Sequence, residues 1–169
     1  MGNAAHARVG LAVRTSDIQF MGTHQSRLDA KGRMSVPAAF RAALRAAATE
    51  GVPSLILRPS HTLACIDAWP ASRFEALAAG FDKIDLFAEG QDDLATTLYA
   101  DAWPVEPDRE GRIIVPDSLV QHAGLTEAVS FMGLGSRFQI WDPEAALQRK
   151  NAARQGAATR GLTVPAVAR

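Results

Sequence analysis

Hydrophobic and polar positions alternate along this chain in short bursts, and the bursts occur twice. "RMSV" (33–36) and "RIIV" (112–115) read as strands, the second strongly so because isoleucine and valine are β-branched. Each follows an aspartate and a glycine, Asp29 with Gly32 and Asp108 with Gly111. These are turn residues: the Asp side chain can bond the backbone ahead of it, and glycine accepts positive φ. Each strand closes on a proline, Pro37 or Pro116, which cannot pair within a ladder but suits the start of a helix. Past the prolines, 38–48 predicts an alanine-rich helix and 117–123 a shorter one stopped by Gly124. "SLILRPSHTLACI" (54–66) and "AVSFMGLGSRFQIW" (128–141) each predict two strands around a turn. "DAWP" (67–70) and "DP" (142–143) then predict a second helix, with aspartate as cap. The unit is strand, turn, strand, helix, hairpin, helix, written twice.

The repetition extends to identities. At a spacing of 79, Asp29, Gly32, Arg33, Val36 and Pro37 match Asp108, Gly111, Arg112, Val115 and Pro116, and upstream Phe20 meets Tyr99. Downstream the spacing becomes 75, where Asp67 falls on Asp142. A unit of about 45 residues with four short strands has too little surface to bury alone. Two such units can complete each other's sheet as a closed barrel, an intramolecular pseudo-dimer. The plainer alternative is a tandem domain whose repeated D-x-x-G-R only builds a sturdy turn; the arginine argues against it, because a turn does not require one.

Composition bounds the class. With 169 residues, 47% of them hydrophobic, the chain can bury a core as one or two domains. No apolar run approaches the roughly 20 residues that span a bilayer, and the first 20 residues lack a signal peptide's apolar stretch, so a cytoplasmic protein is expected. The single cysteine, Cys65, sits in the apolar run "TLACI" and reads as a core residue. The net charge is zero but unevenly spread: +4 over 22–60, −5 over 61–98, −4 over 99–142 and +4 over 143–169.

This unevenness separates the two copies chemically. "SRLDAKGR" places Arg27, Lys31 and Arg33 around a tight turn at Gly32, in a basic segment. Phosphate binding needs exposed Lys or Arg on a loop that can approach the backbone, and arginine's planar fork suits guanine or phosphate oxygens. In the second copy Glu106 and Glu110 stand where Arg27 and Lys31 stood; Arg109 and Arg112 remain among acids. The first copy is therefore expected to carry most of any DNA affinity, with Arg112 in a structural or interface role.

The two D-x-x-G-R-x-x-x-P motifs, Asp29 to Pro37 and Asp108 to Pro116, preceded by "FMGTHQSRL" and followed by "QHAGL" and "RFQIWD", resemble the MraZ family of bacterial transcriptional regulators over about 20–146. The resemblance implies an α+β, mainly β fold: a double-split (swapped-hairpin) β-barrel of two tandem AbrB-like repeats with flanking helices. It places DNA contacts at Lys31, Gly32 and Arg33, to which the local chemistry adds Arg27 and Arg112 as DNA-binding candidates. It implies a regulator of the division and cell-wall gene cluster, bound to repeated double-stranded promoter sites as a ring-shaped homo-oligomer, cytoplasmic and nucleoid-associated, with no cofactor, small-molecule substrate or membrane partner. A ring-forming scaffold without a regulatory DNA site is the alternative. The expected organisation is a disordered extension over 1–18, a first repeat over 19–67, a helical linker over 68–98, a second repeat over 99–142, and a C-terminal helix with basic tail over 143–169.

Other candidates are weaker. His6, His24, His61 and His122 lack metal-ligand spacing. "GLGS" (133–136) lacks the continuation of a phosphate loop and reads as a hairpin turn. Trp69, Trp103 and Trp141 read as core or interface anchors, and the acids of 89–93 as a solvated helix face, so no catalytic set emerges.

Overall fold

The computed structural model describes residues 19–48, 50–51, 54–85 and 87–165. The predicted extension over 1–18 lies outside the described residues, apart from which the predicted order of elements appears in both halves. The first half gives β1 (Thr23–Arg27), β2 (Arg33–Ser35), α1 (Ala38–Ala47), β3 (Leu55–Pro59), β4 (Ile66–Pro70) and α2 (Ala71–Phe81). A linker of α3 (Gln91–Ala95) and a π-helical turn (Thr96–Ala100) follows. The second half gives β5 (Trp103–Val105), β6 (Arg112–Ile114), α4 (Asp117–His122), β7 (Ala128–Gly133), β8 (Phe138–Trp141) and α5 (Pro143–Arg160).

The halves exchange strands. Six strands form an antiparallel sheet in the order β1-β7-β8-β4-β3-β5, so each half's first strand pairs with the other half's third. The second strands leave the sheet and pair with each other as a β2–β6 ribbon. Met34 opposes Ile113 in the ribbon and Asp67 opposes Gln139 in the sheet, which marks a pseudo-twofold through both. The spacing between equivalent residues is 79 at the ribbon and 72 at Asp67 and Gln139.

Three expectations change here. The strand pairings give an open sheet plus a ribbon in place of a closed barrel: among the described residues β1 and β5 are edges that do not meet. The turns after β1 and β5 carry β2 and β6 out of the sheet and over the core, where the isolated Leu28–Met34 bridge and a 2.9 Å bond from Ser26 Oγ to Ser35 O tie β1 to β2. The match of Asp67 with Asp142 is also displaced. Asp142 caps α5, its carboxylate accepting from Ala145 N at 3.0 Å. Asp67 is instead an inner residue of β4 whose Oδ1 accepts from Gln139 Nε2 at 2.8 Å, and Pro70 stands at the cap of α2. Tyr99 likewise departs from Phe20: Phe20 is buried, while Tyr99 is largely exposed and packs edge-on against Phe74 and Phe81.

The alternation of each strand sorts the sheet into two faces. One face, with Leu55, Leu57, Ile66, Val129, Phe131, Phe138 and Ile140, packs against Met34 and Ile113 of the ribbon, Phe40 and Leu44 of α1 and Leu119 of α4. The other carries Arg58, Asp67, Trp69, Gln139 and Trp141 beneath the linker and α5. "GLGS" is the β7–β8 turn, pinned by reciprocal backbone bonds of 2.8 and 2.9 Å between Phe20 and Gly135. A Cβ on Gly133 would collide with the backbone of Phe20, which explains the glycine there. Trp141 is buried, whereas Trp69 is half-buried and Trp103 exposed.

Cys65 is fully buried beside Met132, Trp141 and Ala146, as its apolar setting predicts. Burial, aided by the negative charge of Asp67, pushes its thiol up to about 12 from an ordinary 9.0. Three pH units correspond to roughly a thousandfold less thiolate. Ellman's reagent at pH 8 is accordingly expected to label the native chain at least roughly a thousandfold more slowly than the urea-unfolded chain; comparable rates would place Cys65 outside the core.

Candidate nucleic-acid interface

The ribbon and its two turns form one surface. In the first turn, Asp29 Oδ1 accepts from the backbone N–H of Lys31 and of Arg33, both at 2.9 Å, and Asp29 Oδ2 accepts from Arg33 Nε at 2.7 Å. The backbone closes the loop through Asp29 N to Arg33 O at 2.9 Å and Gly32 N to Asp29 O at 3.1 Å. The second turn repeats every bond: Asp108 Oδ1 takes Glu110 N and Arg112 N at 2.9 Å, and Oδ2 takes Arg112 Nε at 3.0 Å. The arginine thus takes part in the turn, which weakens the argument that an arginine not required by the turn must be there for another reason.

These bonds fix the charge state. Backbone and side-chain donation from Arg33 holds the Asp29 carboxyl below its usual 3.8, and donation from Arg112 does the same for Asp108. A depressed carboxyl contributes stability that is complete above its ordinary range and is lost as pH falls through its lowered value. Both turns therefore stay formed at neutral pH.

Each turn is also clamped by the other half. Gly32 O accepts from Val115 N at 2.8 Å, and Gly111 O accepts from Val36 N at 2.9 Å. Gly32 and Gly111 sit at φ +76° and +77°, and a Cβ on Gly111 would run into the guanidinium of Arg41, which lies across it and donates to Glu110 O at 3.2 Å. Glycine is required at 111 by its dihedral, while the overlap with Arg41 could be relieved by movement of that flexible side chain. Pro37 and Pro116 hold the cap positions of α1 and α4 with extended ψ, as predicted for residues that close a strand and open a helix.

Period-2 alternation puts Met34 and Ile113 into the core and leaves Arg33, Ser35, Arg112 and Ile114 on the outward face. Arg33 opposes Ile114 and Ser35 opposes Arg112, so the two arginines lie on a diagonal. Ile114 is 64% exposed, an apolar contact point with no cover among the described residues. Ser35, Ile114 and Arg41 escape notice in a reading that follows only the D-x-x-G-R motif. The alternation "RMS" and "RII" is the signal that finds the first two.

The turns differ in what surrounds the shared frame. Among the described residues Arg33 pairs with Asp29 alone. Arg112 pairs with Asp108 and, through Nη2, with Glu110, and these partners, Asp108 foremost, push its pKa further up. The Lys31 side chain has no bonded partner among the described residues. Arg27 reaches Glu127 at 3.7 Å with both side chains largely exposed, a contact too weak to neutralise it. Glu106, in the place of Arg27, accepts from Ser54 N and Oγ. Among the described residues no group of His, Cys, Asp and Glu is placed to hold a metal, and no helix is long and apolar enough to cross a membrane.

Fold and surface together define a class: a two-repeat protein whose halves exchange strands and jointly present an arginine-bearing ribbon with one basic turn. The MraZ protein family model matches residues 19–96 and 98–157, and the chain belongs to the MraZ family. A relative from Gluconacetobacter diazotrophicus named Transcriptional regulator MraZ is 57% identical over 150 residues, 89% of this chain and 94% of its own length. The same name is carried by a Gluconobacter oxydans relative, 57% identical over 140 residues (83% of this chain, 85% of its own). A Xanthobacter autotrophicus relative, also so named, is 37% identical over 126 residues (75% and 78%). These names describe regulators rather than enzymes.

Proposed function

We propose that the chain is a DNA-binding transcriptional regulator that reads double-stranded DNA with the β2–β6 ribbon. One observation carries this reading: Arg33 and Arg112 lie diagonally on the ribbon's outward face, beside the Lys31 turn. The major groove admits a two-stranded ribbon, and arginine is the commonest reader of guanine there. Arg33 and Lys31, which among the described residues have one carboxylate partner and none, give the first turn the larger attraction for phosphate, with Gly32 allowing close backbone approach and Arg27 adding charge. Arg112, held by two carboxylates, contributes more to the frame.

The strand exchange between the halves suits two AbrB-like repeats, over 19–67 and 99–142, joined by the linker of 68–98. The relatives' name supports regulation, and the resemblance extends it to repeated promoter sites of the division and cell-wall genes, bound by a ring of copies in the cytoplasm at the nucleoid. An acidic linker and a basic α5 in one chain favour head-to-tail contact between copies. The same contrast, with Phe87 95% exposed on the linker, is what favours the second reading, an assembling scaffold.

A gel-shift titration on the DNA upstream of the chain's own gene tests the proposal. Arg33→Ala is expected to weaken binding by about 1–3 kcal/mol, on the order of 10- to 100-fold, and Arg112→Ala by less. Parent-like binding by both variants would remove the ribbon as the reading surface.

A further inference from the structure

A cavity of about 480 Å³ lies between the outer face of β3–β4 and the linker. That is within the range of small-ligand pockets, about 300–1,000 Å³. Its walls are apolar: Leu77 and Phe81 of α2, Ile84, Leu94 of α3 and Leu98 of the π-helical turn. Its floor is polar and comes from the sheet, with Arg58, Asp67 and Trp69 joined by Arg137 from the turn before β8.

The floor holds one positive charge too many. Arg58 is only 6% exposed, and its bonded partner is the Thr97 carbonyl at 2.8 Å, a neutral acceptor. Asp67 opposes Arg58 across the strands, but its Oδ1 accepts from Gln139 at 2.8 Å and lies 3.9 Å from Arg137 Nε. Arg137 lies over the Trp69 ring at 4.8 Å. Asp67 is thus the one carboxylate lining the cavity against two guanidiniums, and among the described residues Nε of Arg58, Nε of Arg137 and Nε1 of Trp69 have no hydrogen-bond acceptor. Buried cations are normally paired, so an unmatched one beside an open apolar cavity marks a place for an anion. The backbone is unusual at the same spot. Thr97 lies in a π-helical turn, a rare form that occurs frequently at functional sites.

We infer that this cavity binds a small monocarboxylate with an apolar body. A single uncompensated charge fits a monoanion, a guanidinium fork matches a carboxylate's two oxygens, and the leucine, phenylalanine and isoleucine walls cover the body. The site is remote from the ribbon in the fold and stands apart from the DNA reading, which its failure would leave untouched.

Calorimetric titration of the full chain with 4-phenylbutyrate tests it, with 4-phenylbutanol and 4-phenylbutylamine as neutral and cationic comparisons. The carboxylate is expected to bind saturably, one per chain, and the comparisons at least about tenfold more weakly. Arg58→Met is expected to lower carboxylate affinity by about tenfold or more. Leu94→Glu, at an exposed wall position, is expected to abolish it with the circular dichroism spectrum unchanged, which keeps the test decisive if Arg58→Met fails to fold. Absence of saturation in the millimolar range, or equal binding of the alcohol, overturns the assignment. So does dissociation of an oligomer by both 4-phenylbutyrate and Arg58→Met in ultracentrifugation, which would make a neighbouring copy's carboxylate the occupant.

Discussion

Lys31→Glu is expected to weaken DNA binding on the order of 10- to 100-fold at moderate salt, while Glu110→Lys strengthens it. The Asp29 turn uses only the backbone N–H of Lys31, so reversing that side chain's charge leaves the hydrogen bonds of the frame in place and the change reads electrostatics alone. One lost phosphate contact lowers the salt slope of log affinity by about 0.9, and the introduced repulsion adds to the loss. Glu110→Lys works in the opposite sense by two routes: it adds a cation to the second turn and releases the Nη2 of Arg112 from its second carboxylate. The double exchange, Lys31→Glu with Glu110→Lys, keeps the net charge at zero. It separates the alternatives, because restored affinity means that either turn can serve, whereas continued loss means that only the first turn meets DNA. Fluorescence anisotropy between 50 and 200 mM salt provides the measurement. An unchanged affinity and slope for Lys31→Glu would exclude the first turn from the interface.

The parts of this picture that were legible in the sequence are the local ones. Asp29 and Gly32 lie within four residues, and the chemistry of each predicts the turn that forms. The outward placement of Arg33 and Arg112 follows from alternation in three-residue strands. The role of each arginine in its own turn was missed, because it depends on the direction of one Nε rather than on residue type. Pairing was harder still. β1 meets β7 across more than a hundred residues, and nothing in the alternation of either strand says which edge it will join. "DAWP" and "DP" show the limit of matching by words: the helix after each is real, yet Asp67 belongs to the sheet and Asp142 to the cap, and only the register tells them apart. Arg41 illustrates the same limit from the other side. It lies on a helix of the first repeat and packs over a glycine of the second, a contact that exists only because the halves interlock.

Phe40→Ala is expected to cost about 3–5 kcal/mol of stability, a large share of the 5–15 kcal/mol typical of a folded domain. Phe40 is 1% exposed and is the ring through which α1 grips the sheet: its centroid lies 5.2 Å from Phe20, 5.0 Å from Phe138 and 6.4 Å from Phe131, with the His24 ring at 5.0 Å. Three of these partners come from different elements, the approach to β1, β7 and β8, so the cavity left by truncation opens where both halves meet and has no single neighbour able to collapse into it. The corresponding residue of α4, Leu119, is as buried but is not aromatic, and Leu119→Ala is expected to cost about 2–5 kcal/mol, at or below the Phe40 value. For a chain of this size the Phe40 loss lowers the Tm by roughly 10 °C, at about 2–4 °C per kcal/mol, and lowers the urea midpoint with the slope unchanged. A loss under about 1 kcal/mol would mean that α1 does not pack as described. Because Phe40 contacts the core and not the ribbon's outward face, the variant is expected to bind DNA like the parent at temperatures where it is still folded, in contrast to Arg33→Ala, which is expected to lose binding at an unchanged Tm to within about 2 °C. That opposite pair of outcomes distinguishes the residues that hold the interlocked halves together from those that the halves jointly present.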